Sequence, residues 1–140
     1  VHHVQDSFLH LIADNLDVPV HVIRDDPTDR AAGVLRTNAV NLSFLDVRLG
    51  NGMVLSNVGA VIDVIHESQN TAIEWIESVW QILGAAFYAP ILDYDEDPSD
   101  PSLTGKNMTW DASAVSFKRV VNSAYTHYSC VLYLRFPLLS

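Results

Sequence analysis

Two alternating runs and the helical segment that follows them, residues 38 to 87, constrain the fold more than any other part of the chain. In "NAVNLSFLDVRLG", Val40, Leu42 and Phe44 take every second position, the phase shifts at Leu45, and alternation resumes with Val47 and Leu49. Successive side chains of a strand point to opposite faces, so this pattern predicts a strand with a bulge near Phe44 and Leu45. The "GNG" at Gly50 to Gly52 predicts a turn, because these residues tolerate positive φ. "MVLSNVGAVIDVIHE" then returns as the second strand of a hairpin, setting Val61, Asp63 and Ile65 opposite Ile62, Val64 and His66. His66 is expected to end that strand and help start the next helix.

That helix is "SQNTAIEWIESVWQILGAAF". Ser68 or Asn70 can cap its orphan N–H groups, Glu74 and Glu77 lie towards the positive end of the dipole, and Gly84 marks the fraying end. Ala72, Ile73, Ile76, Val79, Trp80, Leu83 and Phe87 form one broad apolar stripe, with Trp75 and Ile82 off it. Two large apolar groups off the stripe predict a second packed face, a subunit contact.

Shorter signals flank this block. "HVQDSFLHLIADNL" spaces Val4, Phe8, Leu9, Leu11, Ile12 and Leu16 so that most fall on one side of an amphipathic helix. In "DVPVHVIRDDP", Val18, Val20 and Val22 alternate beside Pro19, which predicts a strand at a sheet edge. Pro27, Asp29 and Gly33 break the pattern of "PTDRAAGVLR", a turn or loop. "SAVSFKRVV" and "AYTHYSCVLYLRF" predict two closing strands, and the second carries apolar residues on both alternations, which suits a central strand. The fold class expected is α+β, a mainly antiparallel sheet with two helices packed on it, in a single domain spanning residues 1–140.

Between the main helix and the closing strands lies "ILDYDEDPSDPS", with Asp93, Asp95, Glu96, Asp97 and Asp100 inside eight positions. Asp93, Asp95 and Asp97 imitate the first ligands of a calcium loop, but Pro98 stands where the turn needs Gly and Thr104 where a bidentate Glu belongs. The expectation is a solvated, proline-stiffened acidic loop insertion, about residues 91–110.

Charge and composition exclude several function classes. Eight Lys and Arg against 17 Asp and Glu give a formal net charge of −9, which argues against a protein that grips nucleic acid by neutralising phosphates. A hydrophobic fraction of 49% with only 18% charged residues suggests surface covered by other subunits. The one cysteine, Cys130, excludes an internal disulfide and a CxxC metal site, and is expected to be a small buried hydrophobe. No apolar run has the length of a membrane span, and "VHHVQDSF" lacks the basic and apolar regions of a signal peptide, so a soluble, intracellular product is expected at synthesis. The sequon-like "NMT" at Asn107 is then chance.

Catalytic motifs are missing too. There is no GxSxG elbow, no phosphate-binding GxxxxGK[ST] or GxGxxG, and "HESQN" has Asn where an HExxH zinc motif needs His. The six histidines, His2, His3, His10, His21, His66 and His127, are read as surface residues rather than ligands, since a metal site needs convergent partners. Asp25 and Asp26 in "IRDDP" fit turn chemistry. The expectation is no enzyme, no cofactor and no metal. The rival enzyme reading is a small metal-dependent hydrolase using Asp93, Asp95 and Asp97 with a histidine.

The order of elements carries a resemblance. An N-terminal helix, an edge strand, a hairpin ending in "VIDVIHESQNTAIEWIESVWQIL", an insertion, and a closing "FKRVVNSAYTHYSCVLYLRF" pair resemble the tail terminator proteins of long-tailed bacteriophages. The resemblance rests on element order, size and the strand-to-helix junction near residues 61 to 83. It implies a structural virion protein, assembled in the host cytoplasm, that forms a hexameric ring on the tail tube. Such a ring stops tube polymerisation and joins the tail to the neck proteins of the head. Trp75, Ile82, Phe87 and Tyr88 would then supply apolar subunit contacts. Asp93, Asp95, Glu96, Asp97 and Asp100 would line the lumen, past which DNA moves without specific binding, or the rim facing a neighbouring ring. The alternative within the same class is another head-to-tail connector, a neck or stopper ring.

Overall fold

The structure, a computed structural model, describes residues 2–23, 34–49, 55–121 and 124–137. The elements run α1 (His2–Asn15), β1 (Val20–Val22), β2 (Ala39–Arg48), β3 (Ser56–His66), α2 (Gln69–Gly84), β4 (Tyr88–Asp93), β5 (Ser102–Thr109), a 3-10 turn (Ala112–Ala114), β6 (Lys118–Arg119) and β7 (Thr126–Phe136). The turn expected at Gly50 to Gly52, the Asp25–Asp26 pair and the loop from Pro27 to Gly33 lie outside the described residues.

One sheet in the order β1-β2-β3-β7-β5-β4 makes the frame, with β6 also paired to β7. Every pair is antiparallel except β1 with β2, so the chain is an α+β fold with a mainly antiparallel sheet. β1 is the expected edge strand, and β7 the expected central one, joined to β3 over its full length from Ser56↔Phe136 to His66↔Thr126. The β2–β3 register shifts between Phe44 and Val47, at the phase change visible in the alternation.

Because strand side chains alternate, the even-numbered residues Val40, Leu42, Val58, Ala60, Ile62, Val64, Cys130, Leu132, Leu134 and Phe136 all enter one core cluster. From the helices come Val4, Phe8 and Ile12 at i, i+4 and i+8 of α1, each fully buried, and Ala72, Val79 and Leu83 of α2. Both helices therefore cover the same face of the sheet. Full burial of a side chain such as Phe8 contributes about 1.5–3 kcal/mol over leaving it exposed.

The β3–α2 junction is held by short-range polar bonds. Ser68 is the N-cap, its Oγ accepting from the Thr71 N–H, and the Ser68 N–H donates to His66 Nδ1 at 2.8 Å. Asn38, in the left-handed region at φ 57°, accepts the Glu67 N–H on its side-chain oxygen. At the far end of α2, Trp110 donates its indole N–H to the Leu83 carbonyl at 2.8 Å, filling one of the orphan acceptors of the helix terminus.

Three expectations need correction. The segment 91–110 is not a loop insertion: Tyr88–Asp93 and Ser102–Thr109 pair as β4 and β5, leaving residues 94–101 as the turn between them. Poor strand formers (Pro90, Gly105, Lys106, Asn107) hide the hairpin in the sequence, but tertiary partners hold it. The ladder bulges between Pro90 and Leu92; the freed Leu92 N–H donates to Ser7 Oγ of α1 at 2.8 Å, and Thr104 Oγ1 donates to the Ile91 carbonyl at 2.6 Å. Gly105 supplies the φ of +76° that this strand requires. Second, "SAVSFKRVV" contains only the two-residue strand Lys118–Arg119. Upstream of it, the Asp111 carboxylate accepts from the Ser113 N–H and hydroxyl and curls Ala112–Ala114 into a 3-10 turn. The third correction concerns α2, whose inner face is Ala72, Trp75, Ile76, Val79, Ile82 and Leu83. Trp75 and Ile82 pack against the core, while Ile73 and Trp80, assigned to the stripe, are exposed. A stripe read too wide rotated the helix by about one position.

Candidate functional site

The predicted contact residues separate into two groups. Trp75 is half-buried with its ring edge-on to His66 at 4.9 Å, and Ile82 lines the groove between α1 and α2 with Leu11 and Leu16. Phe87 and Tyr88, 62% and 51% exposed, project from the turn into β4 and meet in a T-shaped pair with centroids 5.2 Å apart. Trp80, 54% exposed, lies one helical turn before Gly84, where an added Cβ would meet the indole at 3.4 Å. Trp80 stands on the outer side of α2, whereas Tyr88, paired with Thr109 and through it with Arg135, lies on the face of the sheet away from the helices.

The face of the sheet away from the helices carries further apolar groups. Gly59 pairs with Tyr133, and a Cβ at Gly59 would stand only 2.9 Å from Leu45 Cδ1, so the missing side chain lets Leu45 lie across the strand. Val61 pairs with Val131 beside them. Leu45, Val131 and Tyr133 are each exposed. The sequence hides this face, because apolar Val131 and Tyr133 on the second alternation of β7 equally suit a central strand covered on both sides.

Further along the same face the sheet is polar and buried. His127 Nε2 and Asp63 Oδ1 are 2.7 Å apart, and both residues are 8% exposed. Asn41, fully buried next to Asp63, donates its amide to the carbonyls of Arg36 and Asp63 and accepts the Arg36 N–H at 2.8 Å. These bonds satisfy side chains that would otherwise be costly to bury, so a holding role suffices for them.

The acidic turn is docked rather than free. His2 Nε2 meets Asp95 Oδ2 at 2.9 Å; His3 approaches Asp93 at 3.9 Å and Asp95 at 4.0 Å; His10 stacks on Tyr94 with centroids 4.0 Å apart. The hydrogen bond from His2 is the main reason the Asp95 carboxyl is held below its ordinary range. Burial first, then the nearby Asp14 and Asp6 carboxylates, push the Tyr94 phenol up. Asp97 faces its own turn, accepting from the Ser99 N–H and hydroxyl, and those bonds lower its pKa. Glu96 and Asp100 are exposed. Of the hydrolase constellation, the structure brings Asp93 and Asp95 to histidines and leaves Asp97 apart.

Cys130 is buried on the core side of β7, and burial pushes its thiol up, away from the reactive thiolate. Among the described residues no helix is long and apolar enough to cross a membrane. Compared with known proteins, the chain matches no family model and no curated protein.

Proposed function

We propose that this chain is a ring-forming structural protein of a phage tail, a tail terminator that caps the tail tube as a hexamer and joins it to the neck. The observation that carries the reading is the pair of exposed apolar areas on opposite sides of one subunit. Trp80 and Ile73 stand exposed on the outer side of α2, and Leu45, Val131 and Tyr133 stand on the open face of the sheet, which Tyr88 shares through its register with Thr109 and Arg135. A closed ring requires a heterologous contact, in which one surface of a subunit meets a different surface of the next. Aromatic anchors at both ends of that contact suit it energetically.

Element order adds support: a helix, an edge strand, a long hairpin and a strand-to-helix junction at residues 56–84, now seen as β3 and α2. The acidic turn fits a passage for DNA. Six copies of Asp93, Asp95, Glu96, Asp97 and Asp100 would repel phosphates and keep the genome from sticking. The protein would act in the virion, between the tail tube and the head connector, without catalysis.

Binding to purified assemblies tests this. A terminator binds the ends of tubes built from the tail tube protein of the same phage. Binding to the portal side alone would assign the chain to a neck or stopper ring, and binding to neither would reject both.

A further inference from the structure

We propose that His2, His3 and Asp95 bind one divalent transition-metal ion of the Zn2+ type, with Asp93 orienting His3. One ligand atom from each of the three residues lies within 4.8 Å of the others. Asp95 Oδ2 is 2.9 Å from His2 Nε2 and 4.0 Å from His3 Nε2, and the two imidazole rings have centroids 4.0 Å apart. Tetrahedral coordination with bonds of about 2.0 Å separates ligand atoms by roughly 3.3 Å. Small rotations of side chains reach that spacing.

Residue chemistry selects the ion. Two imidazoles with one carboxylate suit zinc and its first-row neighbours, whereas Ca2+ and Mg2+ take oxygen ligands. Three protein ligands leave a fourth position for water or an outside group.

A separate observation concerns His3. Its Nδ1 is buried without a hydrogen-bond partner, yet Asp93 Oδ1 stands 3.9 Å away. Ligation through Nε2 would fix the hydrogen on Nδ1 and aim it at Asp93, the carboxylate–histidine–metal arrangement that orients metal-binding imidazoles. The orphan atom is then part of the site. Asp93 Oδ1 also accepts the Asp95 N–H at 2.8 Å, which turns Asp95 towards His2.

The scaffold holds both halves in place. Ser7 fastens α1 to Leu92, and His10 stacks on Tyr94, so the histidines and the carboxylates stay in register although 93 residues separate His2 from Asp95. The positive end of α1, equivalent to about half a charge, opposes a cation. Two carboxylates outweigh it. The site is independent of the ring reading and stands or falls without it.

The test is a Zn2+ titration of the full chain, prepared without a polyhistidine tag, followed by calorimetry and by the visible spectrum of the Co2+ form. One ion per chain is expected, with a four-coordinate Co2+ spectrum. Asp95→Asn, on an exposed residue, should weaken binding at least tenfold with the circular dichroism unchanged, and Asp93→Asn by about tenfold or more. Glu77→Gln, on the exposed side of α2, should leave affinity unaltered. Absence of stoichiometric binding, affinity indifferent to Asp95→Asn, or stronger binding of Mg2+ or Ca2+ than of Zn2+ would each overturn the site.

Discussion

His127 on β7 and Asp63 on β3 meet at 2.7 Å on the face of the sheet away from the helices, each almost wholly withdrawn from water. Removing one partner leaves the other buried and unpaired, which costs more than the pair itself contributes. His127→Ala should therefore destabilise the protein by about 3 kcal/mol. Asp63→Asn, which keeps an acceptor, should cost nearer 1–2 kcal/mol. Urea denaturation with both variants checks the order; equal and small losses would mean that water reaches the carboxylate.

Trp110 links the C-terminus of α2 to the end of β5. Its ring is 5% exposed, its indole N–H bonds the Leu83 carbonyl, and its backbone N–H bonds the Phe87 carbonyl. Trp110→Phe keeps most of the packing and should cost about 1 kcal/mol for the lost hydrogen bond. Trp110→Ala should cost about 3–5 kcal/mol. Thermal unfolding distinguishes the two. Similar losses would show that packing alone fastens the helix end.

Asp97 and Asp111 both have lowered pKa values, chiefly because the Ser99 and Ser113 hydroxyls donate to them. A folded-state pKa below the unfolded value contributes stability that is present above the unfolded value, near 3.9, and lost as pH falls through the folded one. The amide signals of Ser99 and Ser113 should therefore titrate with midpoints below about 3.9. Midpoints at or above that value would contradict the two side-chain caps. Both carboxylates are fully exposed, so the effect should be local, not global acid unfolding.

How legible the fold was follows from what each signal depends on. Alternation in β2, β3 and β7 and the Ser68 cap are local, and the bulge at Phe44 was readable from a single phase shift. The β4–β5 hairpin was not: Pro90 and Gly105 argue against strands, and only Ser7, Thr104 and β7 supply what the local sequence lacks. The orientation of α2 was lost because Trp80 and Ile73 are as apolar as the residues that do face the core. Among the candidate site residues, Phe87 and Tyr88 are exposed as a contact would need, whereas Trp75 and Ile82 are already used by the subunit's own packing. Nothing in the spacing of His2 and His3 points to Asp93 and Asp95, since contacts across 90 or so residues leave no periodic trace.

The apolar sheet face separates folding from assembly. Tyr133 is 55% exposed, so Tyr133→Lys should change stability by no more than about 0.5 kcal/mol. If that face is one side of a ring contact, the same variant should abolish ring formation. Native mass spectrometry of the variant beside the unaltered protein checks this, and rings that survive the lysine would remove Tyr133 from the contact.

The central claim is a closed ring on the end of a tube, and imaging tube ends tests it most directly. If the chain is a tail terminator, tubes assembled from the tail tube protein encoded beside it, with this chain added, should carry a cap of six copies at one end and stop lengthening. Tubes that keep growing with bare ends, while the chain stays monomeric beside them, would contradict it.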